Sequence, residues 1–153
     1  MIVRKMLPAE IDVTINLFGY YRDEAIESIP QIAEEYDEDS VLKTIRLMNS
    51  NYEYCWFNLY DGQRPVGFVA GYASACPWNE EKIIANIQFI YVMPSHRKMD
   101  TFKQLLGKFE EWAGTVNAQT ITAGDIGIDI ERSRTLYEHF GFKPQLFMSK
   151  EIT

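Results

Sequence analysis

Cysteine and histidine are scarce in this sequence, two of each among 153 residues. Cys55 and Cys76 stand far apart, so no disulfide framework can be read, and both are expected as reduced core thiols. His96 and His139 have neither partner cysteines nor a His-Glu-x-x-His pattern, which leaves no metal ligand set. Long apolar runs are missing as well: no stretch approaches the roughly 18 residues of a membrane span. The opening Met1-Ile-Val-Arg-Lys-Met-Leu-Pro8 is too short and too charged to read as a signal peptide. These absences point to a cytoplasmic protein with no membrane partner. Positive charge is also short. Fifteen Lys and Arg stand against 22 Asp and Glu, a net charge of -7. Phosphate backbones demand clustered Lys and Arg, so nucleic acid is an unlikely partner and cationic molecules are favoured.

What the chain does have is core material. A hydrophobic fraction of 46% and an aromatic fraction of 14% fit a compact protein, and the length suits one domain over residues 1–153 that buries roughly two-thirds of its unfolded surface. Ile2 to Met6 reads as a short strand. Pro8-Ala-Glu opens a helix with Ile11, Ile15 and Phe18 at i, i+4 and i+7. The stretch Arg22 to Asp39 holds eight carboxylates, and a second helix comes next with Asp39 or Ser40 as its cap. Tyr52 to Tyr60, the turn Asp61-Gly62 and Pro65 to Cys76 form an expected hairpin. Ile83 to Met93 is a nearly unbroken apolar run and reads as a central strand. After it, Phe102, Leu105, Leu106, Phe109, Trp112 and Ala113 recur at helical spacing. Gln119 to Thr122 is a short strand, Glu131 to Phe140 a last helix, and Lys143 to Ile152 a last strand or pair of strands. The order predicts a mixed α/β domain, with a central mixed sheet of six to seven strands flanked by about four helices.

Two segments carry more than fold class. Ile90-Tyr-Val-Met-Pro94-Ser-His-Arg97 is an aliphatic strand ending in Val-x-Pro-x-x-Arg. Leu136-Tyr-Glu-His-Phe-Gly-Phe142 closes a helix on an aromatic-glycine-aromatic step, with Gly141 where a helix C-terminus favours a left-handed residue. Tyr137 then lies one turn before the cap, with a phenol that either fills space or does chemistry. In this order and on these elements, the two segments resemble the strand-to-helix signature and the leucine-tyrosine-x-x-x-glycine-phenylalanine segment of the GNAT (Gcn5-related N-acetyltransferase) superfamily. The resemblance covers essentially the whole chain.

That resemblance implies an N-acetyltransferase with acetyl-CoA as co-substrate and no metal. The acceptor would be a primary amine on a small molecule or a protein, attacking the thioester directly. Tyr91 and Val92 would present backbone groups to the acetyl and pantetheine arm. Arg97, Lys98, Met99, Asp100, Thr101, Phe102 and Lys103 would form the pyrophosphate loop, where orphan N–H groups and the helix dipole favour an anion. Tyr137 would protonate the departing thiolate. Gln88 and Phe89 occupy strand positions where an acid is sometimes found, and neither is a base. A homodimer is compatible with the resemblance.

The chain also departs from the family pattern. Arg/Gln-x-x-Gly-x-Gly/Ala is expected in the loop, and Arg97-Lys-Met-Asp100-Thr-Phe102 stands there. Glycine allows a phosphate to approach the backbone closely. An inward-pointing Asp100 would repel it by up to roughly 4 kcal/mol at about 4 Å and an effective dielectric of about 20. Asp100 is equally a good N-cap for a helix starting at Thr101, and Phe102 the first residue of its core stripe. Ile130, beside Asp129, replaces an asparagine that often contacts CoA. The alternative reading is therefore a protein of the same fold whose loop no longer binds CoA and which serves as a binding or structural module.

Overall fold

The computed structural model describes residues 1–124, 129–146 and 148–152. Among them, five strands form one sheet in the order β1-β2-β3-β4-β5. These are β1 (Ile2–Lys5), β2 (Tyr54–Asp61), β3 (Arg64–Cys76), β4 (Asn79–Val92) and β5 (Thr120–Ala123). The first three pairings are antiparallel and β4–β5 is parallel. The helices are α1 (Ile11–Ser28), α2 (Ile32–Glu35), α3 (Glu38–Ser50), α4 (Met99–Thr115) and α5 (Ile130–His139). The mixed α/β architecture agrees with the sequence expectation, whereas the strand count is five instead of six to seven. The described part of Lys143 to Ile152 carries no strand. Its Leu146, Met148 and Ile152 are exposed, so the apolar pattern there is not matched by burial.

The sheet has a helix layer on each face. On one, α4 lays Phe102, Leu105, Leu106, Phe109 and Ala113 onto Cys55, Phe57, Leu59, Val66, Val69, Ala85 and Ile87. Burial of this kind contributes about 1.5–3 kcal/mol for each large apolar side chain. The Cys55 thiol lies inside this core, where burial pushes its pKa up to about 12. It is an inert packing residue, as expected. On the other face, α1 and α3 cover a mainly aromatic cluster that includes Phe18, Tyr21, Trp56, Phe68 and Tyr91. The deep stripe of α1 is Thr14, Leu17, Phe18, Tyr21 and Ala25. Ile11 and Ile15 of the expected stripe sit at its margin, partly buried.

Helix boundaries differ from the sequence expectation where local side-chain bonding decides them. Asp37, not Asp39 or Ser40, caps α3 by accepting from the Ser40 N–H at 3.0 Å. α4 begins at Met99 with Lys98 at its cap position, two residues earlier than the sequence suggests. Asp100 is therefore inside the first turn and not its cap.

A bulge in the β3–β4 seam decides where the sheet opens. Ala70 pairs with Phe89 but Gly71 pairs with Ile87, so Gln88 is an extra residue and β4 bulges. Gly71 allows this: a Cβ there would fall 2.0 Å from the Asn86 carbonyl oxygen and 2.7 Å from the Phe109 ring. Parallel pairing of β4 with β5 runs from Ile84↔Thr120 to Ile87↔Ala123 and stops at the bulge. β5 ends at Ala123, and among the described residues β4 has no strand partner on that side beyond the bulge.

Candidate active site

A cleft of about 880 Å³ lies beyond the end of the β4–β5 pairing. One side is the Gln88–Val92 stretch of β4, which has no strand partner on its β5 edge among the described residues. The floor is the start of α4, with Lys98, Met99, Thr101 and Phe102 lining it. α5 forms the opposite wall through Arg132, Ser133, Leu136 and Tyr137, and Tyr21 reaches in from α1.

The start of α4 leaves donors available. The cap residue Lys98 makes no side-chain hydrogen bond to its first turn. The Thr101 hydroxyl accepts from the Lys98 N–H at 3.2 Å and donates to the carbonyls of Lys98 and His96 at 2.7 and 3.0 Å. This holds the Lys98–Thr101 turn in shape, while the first helical N–H groups are orphan donors by construction. Such a helix end favours an anion. The Asp100 carboxylate faces away: it is exposed and accepts from Gln104 Nε2 at 2.7 Å. Neither Asp100 nor Lys103 lines the cleft. The repulsion expected from an inward Asp100 is thus removed by its helical position. Phe102 is buried and does line the cleft, packing edge-on to Tyr137 at 5.4 Å and against Phe140 at 5.5 Å. It holds α5 against α4 where a glycine or alanine would leave a gap.

Tyr137 is half-buried between Phe102 and Phe142, the latter edge-on at 5.1 Å, and faces the cleft. Gly141 comes next after the helix with φ +89, the left-handed conformation that its place requires. Asp129 caps α5 by accepting from the Arg132 N–H at 3.1 Å. Ile130 beside it is exposed.

Arg97 is engaged elsewhere. Its Nη2 donates to both carboxylate oxygens of Glu24, at 2.7 and 2.8 Å. Its Nε donates to the Val92 carbonyl at 2.7 Å. Met93 N–H points the other way, to Val66 on β3, so this carbonyl lies on the free edge of β4. Tyr91, only 5% exposed, donates its hydroxyl proton to the same Glu24 carboxylate. Burial first, and the anionic partner second, raise its pKa. Tyr91 therefore stays protonated and serves as a donor, not as a base. The family resemblance gives Tyr91 only backbone work, and composition alone places Glu24 in a solvated acidic stretch. A signal for Glu24 is nevertheless present in the sequence: it is three residues after Tyr21 and seven after Leu17, so it falls on the buried stripe of α1.

His96 lies outside the cleft and pairs with Asp61 at 2.9 Å. Among the described residues no group of three His, Cys, Asp or Glu side chains could hold a metal ion. No described helix is long and apolar enough to cross a membrane.

A mixed sheet whose β4 runs on past its β5 pairing beside a helix N-terminus, with a tyrosine-bearing helix across the cleft, places the chain in a recognisable class. The model of the acetyltransferase (GNAT) family matches residues 17–142, and the chain belongs to that family. Solved structures agree in fold. A probable acetyltransferase is 19% identical with a TM-score of 0.75, covering 100% of this chain and 97% of its own. The ribosomal-protein-alanine N-acetyltransferase of Brucella melitensis biovar Abortus 2308 is 16% identical with a TM-score of 0.73, over 100% and 99%. The aminoglycoside N-acetyltransferase AAC(6')-Iy, in complex with CoA, is 14% identical with a TM-score of 0.73, over 97% and 93%. No curated protein sequence matches the chain.

Proposed function

We propose that the protein transfers an acetyl group from acetyl-CoA to a primary amine, by direct attack of the amine on the thioester. The observation that carries this reading is the joint geometry of the cleft: a β4 edge from Gln88 to Val92 with no strand partner among the described residues, the first amides of α4, and Tyr137, all lining one space. The free edge offers N–H and C=O groups to the amide-bearing pantetheine arm. The amides of Met99, Asp100 and Thr101 suit the pyrophosphate, with Lys98 and Arg97 as nearby positive charge. Acetyl-CoA supplies the activated acetyl group. Tyr137 holds a proton at its hydroxyl for the departing thiolate, and water takes the proton released by the amine. The acidic residues of α1 to α3 favour a cationic acceptor, consistent with structural neighbours that acetylate aminoglycosides or a ribosomal-protein alanine.

Calorimetric titration with acetyl-CoA tests this reading, and absence of binding at millimolar cofactor would sink it. Where binding is found, Tyr137→Phe is expected to lower turnover by about 10²-fold or more while leaving the cofactor Kd within a factor of about two. An unchanged rate would remove the acid role.

One observation favours a second reading, a binding module without cofactor: Arg97 is already paired, and Phe102 fills a position that small residues occupy in the family pattern. On that reading Phe102→Gly, together with Asp100→Gly, creates CoA binding that the unaltered protein lacks.

A further inference from the structure

Arg97 has two claims on it that cannot both be met in one position. In the structure its guanidinium spans Glu24 on α1 and the Val92 carbonyl at the end of β4. Yet Arg97 also lines the cleft beside Lys98, Met99 and Thr101, at the amides that suit a diphosphate. A diphosphate carries more charge than one carboxylate and offers several acceptor oxygens to the same planar donor. Glu24 and Arg97 each keep 27% side-chain exposure, so neither is locked in a dry interior. The pair is thus strong enough to hold in the free state and wet enough to exchange.

We propose that Arg97 is shared between two anions, Glu24 without cofactor and the diphosphate of CoA with it, so that cofactor binding releases the arginine tie to α1 and leaves the Tyr91 hydroxyl as the remaining bond of Glu24. This rests on the reading of the cleft as a cofactor site and adds a control to it. Exchange frees the Glu24 carboxylate, which keeps the Tyr91 hydroxyl as its donor, at the α1 side of the cleft. Glu24 therefore acts as a competitor for Arg97, lowering apparent cofactor affinity by the fraction of time it holds the guanidinium.

Calorimetry with CoA and with pantetheine, which lacks the diphosphate, tests the exchange. Glu24→Gln is expected to tighten CoA roughly fivefold while leaving pantetheine unchanged. Unchanged or weaker CoA binding in Glu24→Gln overturns the proposal, as does equal tightening of pantetheine. Should that variant fold poorly, the unaltered protein gives the same answer through its arginine side-chain Nε–H resonances. The Arg97 signal, assigned with Arg97→Lys, moves on saturation with CoA and stays in place with pantetheine. A signal that CoA leaves untouched overturns the exchange. Failure of the unaltered protein to bind CoA at all would instead strike the cofactor reading itself, so the two failures are distinguishable.

Discussion

One wall of the cleft is β4 with α1 packed behind it and the other is α5, and the two are built by different means. The α1 wall rests on a buried polar network. Trp56 Nε1 donates to Asn58 Oδ1 at 2.9 Å, Asn58 Nδ2 donates to Thr14 Oγ1 at 2.8 Å, and the Tyr60 hydroxyl donates to Glu10 at 3.1 Å. Arg4 closes the chain on Glu10 at 2.9 and 3.0 Å. The α5 wall has no fully buried residue. Half-buried aromatic edges hold it, Phe102 against Tyr137 and Tyr137 against Phe142. Directional hydrogen bonds in a low dielectric fix one geometry, whereas aromatic edge contacts tolerate small shifts. One wall sets the position of β4, and the other can adjust to what enters. Stability of this uneven kind is expected wherever a site must open and close.

The largest effect should come from the seam that serves both walls. Gly71→Ala places a methyl 2.0 Å from the Asn86 carbonyl oxygen. β3 and β4 must separate to accept it, at a cost of about 3 kcal/mol or more. Urea unfolding would register this, and a loss under about 1 kcal/mol would mean that the bulge is not held by close backbone approach.

Asn58→Ala should act on the α1 wall alone. Asn58 is wholly buried, and its removal leaves the Trp56 indole N–H without its acceptor and the Thr14 hydroxyl, which still donates to the Glu10 carbonyl, without its donor. The expected loss is about 2–3 kcal/mol. In amide exchange, α1, with five buried residues, is expected to start better protected than α5, with none. The variant should bring α1 down toward α5, and a gap of unchanged size would show that the network does not make the difference.

These contrasts also explain which parts are legible in the sequence. The α4 stripe from Phe102 to Ala113 and the hairpin at Asp61-Gly62 can be read because a residue's neighbours along the chain decide them. The strand-to-helix and Tyr137 segments are legible as motifs, and they do meet across one cleft. Three features are hidden. The Gln88 bulge depends on a register between β3 and β4 that periodicity does not encode. The outward turn of Asp100 depends on where α4 begins, and that is decided by the Thr101 hydroxyl bonding back to Lys98. The partner of Arg97 lies 73 positions away, at Glu24. Charged residues in an acidic stretch look solvated until the helix phase is known. Here the deep stripe is rotated from Ile11 and Ile15 to Thr14 and Leu17, which hides Glu24 as well.

The smallest effect separates the walls by pH. Glu10 accepts from Arg4, from the Leu7 N–H at 2.6 Å and from Tyr60. Arg4, the largest cause, with the Leu7 and Tyr60 hydrogen bonds, lowers the Glu10 pKa from 4.5 to about 2. A pKa that is lower in the folded state means that the unfolded chain binds the proton first. The stabilisation is therefore complete above pH 4.5 and disappears as pH falls toward about 2. Arg4 is more than a third exposed, and screening by water reduces the contribution to about 1–2 kcal/mol. On the α5 wall the Arg134–Glu138 pair is open to water, 57% and 44% exposed, so acid should alter it little. Unfolding free energies of the unaltered protein and Glu10→Gln, taken from pH 7 down to pH 2.5, should converge by that amount below pH 4.5. Parallel curves would mean that Arg4 and Glu10 are as loosely coupled as the pair on α5, and that the α1 wall draws its rigidity from Asn58 alone.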